Sequence, residues 1–524
     1  MLTEILLFIL TAIIGYYWYI YKKIHNRYKD RDVKFLPGVP VFGNALQYTL
    51  LKRHMVYDFD EVYKAFPQER YVGYIEGTTP AILIRDPELI KRITVKDFEH
   101  FMNHKDFFTE EMDPLFGLTL IMMKDEKWRD MRTKLSPAFT GSKMKTMVPF
   151  IQEVGVNIVE YLKEHDGKDV NLDDVMRRFT TDVIATTAFG LQVNSFKDKD
   201  NEFYRSGQSL FDFSLAQRIY MFFCDNFPTA AKFARMFYKP TRTTQFFTEI
   251  VKSTMEYREK NNVVRPDMIH LLMQLKKGTL DTNPASEDKD VGYAAVEEEV
   301  KSPGSVREWT LPELVGQVFT FFVAGFETSA STITMCLHEL CLNPEVQEKL
   351  YQEVKEFKET RGKLTYENVT ELKYLDSVLN ETFRKWSIVI AMDRICTKEY
   401  ELPPAHEGGK PYKLYPGDLV YSSVNAIHMD PQYYPNPEVF NPDRFSEENK
   451  RNIQPFTFMP FGMGPRACIG SRFALLELKV LLFTLVSNFK ILKCPKTIDP
   501  IVLAANDFNI KAKGHTWLKF EPRS

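Results

Sequence analysis

The residues best placed to do chemistry lie in Pro460-Phe461-Gly462-Met463-Gly464-Pro465-Arg466-Ala467-Cys468-Ile469-Gly470. One cysteine there follows a rigid, glycine-rich stretch and opens an apolar helical pattern (Ile469, Phe473, Leu476, Val480). A thiol at a helix start gains from the positive end of the helix and from free backbone N–H groups, so the thiolate is expected to be favoured. Gly464 and Gly470 remove side chains where something flat could approach the backbone. Arg466, two residues before the sulfur, offers a fork of donors to a carboxylate. Taken singly, such a cysteine is usually a small buried hydrophobe.

A second set of polar groups interrupts the longest apolar pattern. Thr310 and Glu313 form a capping box with Pro312 inside the first turn. The pattern then continues without a breaker to Asn343-Pro344, which predicts a helix of roughly 45–50 Å at 1.5 Å per residue. Its middle, Phe319 to Phe326, is apolar on nearly every side and is expected to be buried. Ala324-Gly325-Phe326-Glu327-Thr328 breaks that surface. Gly325 lets a neighbour pack against the backbone, and the Thr328 hydroxyl can bond the carbonyl four residues back. Glu327 is an acid in an apolar setting, costly unless paired or used. Read alone, the stretch is a polar bump on a core helix.

Two further spacings matter. Trp128 and Arg132, four apart in DEKWRDMRTKLSPAF, share one helix face. They are either two donors to a buried carboxylate or a cation–π surface pair. Glu381 and Arg384 meet at i and i+3, a pairing that is usually solvated and worth little.

At Phe461, Gly464, Arg466, Cys468 and Gly470 the chain resembles the haem-binding loop of the cytochrome P450 superfamily. The resemblance extends from Pro37 to the C-terminal hairpin and is nearest to the microsomal insect enzymes of family nine. It implies a mainly α fold with small β-sheets, holding haem b between a long central helix and the cysteine loop. On that reading Cys468 is the proximal iron ligand, Phe461 shields the macrocycle, and Ala324 lies on the cofactor side of the central helix. Glu327 and Thr328 become the acid–alcohol pair that meters protons during oxygen activation. Trp128, Arg132, Arg394 and Arg466 become partners of the haem propionates. Glu381 and Arg384, with Arg444 from Asn441-Pro442-Asp443-Arg444-Phe445, become a folding scaffold, since removing one of three buried charges strands the others. The resemblance also implies electrons from NADPH through cytochrome P450 reductase, with cytochrome b5 as a second candidate donor. It makes the activity a monooxygenation of lipophilic compounds such as plant toxins or insecticides. The alternatives are an endogenous lipid or hormone hydroxylase, and a reductase-independent thiolate-haem isomerase or dehydratase.

Pocket residues are read from aromatic and apolar segments: Phe107, Phe108, Leu115, Phe116 and Leu120 in a lid, Phe211, Phe213 and Phe222 in a roof, and Ile388, Val389, Ile390 and Phe508 later in the chain. They point to an uncharged, lipophilic substrate. The chain departs from the family where Ser387-Ile388 replaces the usual Pro-Pro after Lys385-Trp386, which is expected to free that backbone.

The elements that must position these groups form one large body. At 524 residues, with 44% hydrophobic and 14% aromatic content, the chain can enclose an apolar cavity; a net charge of −2 and a pI near 6.6 exclude an electrostatic nucleic-acid binder. Six cysteines form no CxxC pair and fit a reducing compartment. Ile5 to Tyr21 is a run without charges, ending in aromatics and followed by Lys22, Lys23, Arg27 and Lys29. It reads as a signal anchor in the endoplasmic reticulum membrane (1–21), with a basic linker and proline hinge (22–44) and a catalytic body (45–524) on the cytoplasmic side. Tyr71–Ile75 and Ala81–Ile84 predict a hairpin. The polar, acidic stretch from Gly278 to Gly304 reads as a surface connection without chemistry. Arg129, Lys134, Lys143 and Lys145 could dock an acidic partner face.

Overall fold

The computed structural model describes residues 2–106, 109–110, 113–211, 214–226, 242–265, 267–278, 291–296, 300 and 308–523. Helices dominate it. The central helix, Leu311–Leu342, starts at the Thr310 cap, where the Glu313 N–H donates to Thr310 Oγ1 at 3.5 Å and the Thr310 N–H to Glu313 Oε2 at 2.9 Å. Thirty-two residues span about 48 Å, and the helix is buried along most of its length. The cross helix, Leu172–Ile184, packs over it, with the tip of Ile184 lying against Gly325: a Cβ there would lie 2.2 Å from Ile184 Cδ1. On the other side runs the sulfur-side helix, Ser471–Asn488. Val183, Ile333, Leu337, Leu475, Leu482 and Leu485 from these three helices meet in one core.

A four-stranded sheet closes one end in the order β1 (Tyr71–Glu76), β2 (Thr79–Ile84), β4 (Leu419–Ser423), β3 (Ala391–Ile395). β1 and β2 form the expected hairpin, β2 runs parallel to β4, and β3 pairs antiparallel with β4, setting Arg394 opposite Val420. The mainly α architecture with small sheets is the one the motifs implied.

The N-terminal helix does not stop where the apolar run stops. It continues to Lys29, so the first basic residues lie on a helix and not in a linker. Its last turns dock on the body: Ile24 and Tyr28 are buried, Arg27 pairs with Asp418, and the Tyr28 hydroxyl donates within bonding distance of the Tyr74 and Ala81 carbonyls (2.9 and 2.8 Å). Among the described residues this is the single helix long and apolar enough to cross a membrane.

The acidic stretch also differs from its reading as a surface connection. Residues 291–296 are packed, with Val291 and Ala294 at 0% and 5% exposure in the main core. Charge content over the whole stretch hid six consecutive uncharged residues, Val291 to Val296.

Candidate active site

Between the central helix and the sulfur-side helix lies a cavity of about 460 Å³. Cys468, Phe461 and Gly470 form one wall; Ala324, Gly325 and Thr328 form the facing wall. The remaining lining is mostly apolar and includes Ile184, Ala188, Phe321, Ile388 and Val389.

The sulfur is held by its loop. The Cys468 N–H donates to the Phe461 carbonyl at 2.8 Å, and the Phe461 ring meets Phe383 edge-on at 5.1 Å. Gly464, at φ 72°, is needed for a protein contact: a Cβ would fall 1.9 Å from the Thr94 carbonyl oxygen. The helix begins at Ser471, beyond the cysteine. The accessible surface of Cys468 opens onto the cavity, and burial pushes its thiol up, outweighing the Gly470 N–H and the Arg132 charge that favour the anion. The expected helix-end N–H does favour the anion, but burial of the sulfur outweighs it. The other cysteines of the chain are also free thiols.

On the facing wall the Thr328 hydroxyl donates to the Ala324 carbonyl at 2.5 Å, the expected bond to the fourth residue back. Glu327 does not join it at the cavity. At 2% exposure it turns to the cross helix, where Arg177 Nε and Nη2 lie 2.7 Å from its two oxygens. Asp507 sits 3.6 Å from the same arginine. Burial lifts the Glu327 carboxyl to about 7, with Asp507 assisting and Arg177 opposing. Sequence reading missed Arg177, whose long-range partner leaves no local trace.

Next along the wall, Ser329 donates to Glu477 Oε2 on the sulfur-side helix at 2.7 Å; Glu477 Oε1 has no hydrogen-bond partner. Burial alone lifts this acid to about 8. An acid within LLELKVLL was a legible signal that went unused.

The four candidate anion partners gather around one place. Arg466 lies over the Trp128 ring at 4.0 Å, so the cation on that indole is not Arg132. Its three nitrogens donate to the Met102, Met123 and Leu120 carbonyls (2.8, 2.8 and 3.4 Å). Arg394, 3% exposed, donates to the Asp393 carbonyl at 2.7 Å, and its Nε has no hydrogen-bond partner. Burial lowers Arg394 to about 10; burial, Arg394 and Arg132 together lower Arg466 well below the usual arginine range. Their near anion, Asp393, is already engaged by His104 at 2.9 Å and by the Lys105 N–H at 2.5 Å.

Glu381 and Arg384 are fully buried and bidentate (2.7 and 2.8 Å), and Arg444 Nε stands 3.4 Å from the same carboxylate. Among the substrate candidates, Ile388 and Val389 line the cavity, whereas Phe116, Phe211, Ile390 and Phe508 do not. Phe116 packs edge-on against Phe319, Phe211 stacks on Phe326, and Phe508 lies under Arg218 at 4.1 Å. Ile390 belongs to the core beneath the four-stranded sheet. Phe107, Phe108 and Phe213 lie outside the described residues. Loss of the two prolines does not loosen its segment: Ser387 is fully buried and its hydroxyl donates to the Val389 carbonyl at 2.9 Å.

Comparison with known proteins agrees with this geometry. Residues 33–518 match the family profile described as Cytochrome P450. The chain is similar to probable cytochrome P450 9f2 of Drosophila melanogaster, 39% identical over 99% of both chains. It is likewise similar to cytochrome P450 9e2 of Blattella germanica, 39% identical over 95% of this chain and 94% of that one. Cytochrome P450 9b2 of Drosophila melanogaster is 36% identical over 98% of both.

Proposed function

The chain belongs to the cytochrome P450 family, and from that premise we propose that it oxidises lipophilic, uncharged foreign compounds, drawing electrons from NADPH through a flavoprotein reductase at the endoplasmic reticulum membrane. The family is one of haem-dependent monooxygenases fed by a redox partner. The observation that carries the reading is the cavity itself: a sulfur on one wall, a hydroxyl on the other, and buried cations short of an anion nearby.

The residues present fit haem b. Cys468 offers the sulfur ligand, the apolar walls suit a flat macrocycle, and the Arg394 Nε, left without a hydrogen-bond partner, suits a carboxylate of the kind haem carries. Bound there, a sulfur-ligated haem supplies oxygen activation and insertion of one oxygen atom into substrate. The protein's part is to keep the sulfur dry, hold substrate against Ile388 and Val389, and place protons. Thr328 keeps its hydroxyl at the wall through the Ala324 carbonyl. Glu327, lifted to about 7, can hold or release a proton behind that wall, with Arg177 and Asp507 setting its balance. Ser387 replaces the stiffness of the missing prolines with its own bond to Val389.

The test is the reduced, carbon monoxide-treated protein, which should show the red-shifted Soret band of sulfur-ligated iron and lose it in Cys468→Ala. NADPH-dependent turnover with reductase, run across plant toxins, insecticides and endogenous lipids, then separates the foreign-compound reading from a lipid hydroxylase and from an isomerase. Turnover of endogenous lipids alone, or turnover without reductase, would reject it.

A further inference from the structure

We propose that Glu477, on the sulfur-side helix, takes up a proton when a haem bound in the cavity is reduced, so that its carboxyl tunes the potential at which the protein accepts an electron. The inference rests on the reading that a sulfur-ligated haem fills that cavity.

Glu477 stands one layer behind the cavity wall. Ala474 and Leu478 of the same helix line the cavity, and so does Ser329 of the central helix. The Ser329 hydroxyl donates to Glu477 Oε2 at 2.7 Å, whereas the buried Oε1 has no hydrogen-bond partner. The residue is 1% exposed. Its own helix carries Arg472 and Lys479, and Lys479 is paired with Asp376 of the helix Lys373–Lys385 at 2.6 Å. Glu353 of the helix Pro344–Arg361 accepts from the Tyr374 and Leu375 N–H groups at 2.7 and 2.9 Å. On the central helix Glu327 is paired with Arg177. The helix Gly141–Glu164 brings Met144, Val148 and Ile151 to the core it shares with the sulfur-side helix. Lys143, Asp267 and His270 line the cavity. Among the described residues none of these charges governs the carboxyl: burial lifts it to about 8, and the Ser329 hydroxyl is what opposes burial.

An acid in this state is near balance between its two forms, and in a dry setting it responds strongly to a new charge nearby. Reduction takes iron from the ferric to the ferrous state. One electron arrives from the donor, and one negative charge is added beside the wall. A solvent proton joining the Glu477 carboxylate cancels that charge, so electron and proton enter together and the net charge of the site is unchanged. Glu327 differs, because Arg177 already answers its charge. The sign follows from linkage. The added electron raises the Glu477 pKa in the reduced protein above its oxidised value. The potential is therefore highest with the acid protonated, falls as pH rises through the window, and levels off above it.

The experiment is a redox titration of the holoprotein against a reference dye, from about pH 6.5 to about 9, on either side of the carboxyl. It compares the wild type with Glu477→Gln, which keeps the shape and cannot ionise. Across that range the equilibrium constant for reduction should fall at least about twofold more in the wild type, or about 18 mV at 59 mV per tenfold. A smaller difference, matching profiles or a steeper fall in the variant overturns the proposal. If the variant does not hold haem, Ser329→Ala decides. Removing the hydroxyl that favours the anion should raise the midpoint of the pH-dependent fall by at least about half a unit. A midpoint that stays or drops, or a wild-type potential that does not change with pH, rejects the inference. Absence of the red-shifted Soret band in the reduced, carbon monoxide-treated wild type would reject the haem reading, and this inference with it. A protein that shows the band and fails the redox comparison rejects the inference alone.

Discussion

Two groups of buried arginines, built from the same side chain, are left in opposite conditions. Around Glu381 the anion is supplied inside the chain: Arg384 binds the carboxylate with two nitrogens, its third donates to the His428 carbonyl at 3.1 Å, and the Asn441 N–H caps the acid at 2.9 Å. Around Arg394 and Arg466 burial lowers both cations, Arg394 lowers Arg466 further, and Asp393 is already committed to His104. Burial of charge is costly in both. In the first group the chain supplies the compensation, so the group specifies the fold. In the second, carbonyls answer Arg466 but the Arg394 Nε is left without a hydrogen-bond partner, the opening our proposal gives to a carboxylate of the haem.

The sharpest way to break this contrast is to remove the shared anion of the first group. Glu381→Gln should destabilise the protein by about 3–5 kcal/mol, because the fully buried Arg384 and the half-buried Arg444 lose their carboxylate; urea unfolding of the apoprotein measures it. Arg394→Met should do the reverse to the apoprotein, leaving its stability equal or higher, while haem affinity falls ten- to a hundredfold, about 1.5–3 kcal/mol for a charge-assisted bond. Haem titration into both apoproteins separates the two outcomes. Glu477 extends the comparison to a buried acid with a hydroxyl and no cation. Its folded-state value near 8 lies above the ordinary 4.5, so the folded protein holds the proton more tightly and stability falls as pH rises through that window. The wild type should lose about 2 kcal/mol between pH 5 and 7 through this group, and Glu477→Gln should flatten that slope. The smallest change is Arg466→Lys, which keeps the charge but loses the fork bonded to three carbonyls. A cost of about 1 kcal/mol in apoprotein stability is expected, with haem binding retained.

These contrasts also show where the sequence was legible. Local rules carried the capping box at Thr310, the first hairpin, the sulfur loop and the i, i+3 pair at Glu381, because each depends on residues a few positions apart. What escaped were contacts between distant segments. Arg177 reaches Glu327 across 150 positions, and nothing near either residue announces the other. The aromatic segments gave the same lesson in reverse: Phe116, Phe211 and Phe508 have the composition of a pocket but are used against Phe319, Phe326 and Arg218. The thiolate expectation for Cys468 met a cost that local spacing does not show: the Gly470 N–H and Arg132 favour the anion, and burial outweighs them.

The unbroken N-terminal helix turns orientation into a matter of leverage. Twenty-eight residues make a rod of about 42 Å, greasy at one end and clamped through Arg27 and Tyr28 at the other. A rod clamped in this way cannot swivel as a tether would. Each 10° by which the greasy end leans would carry the clamped end sideways by about 7 Å, so bilayer thickness would set the attitude of the whole body.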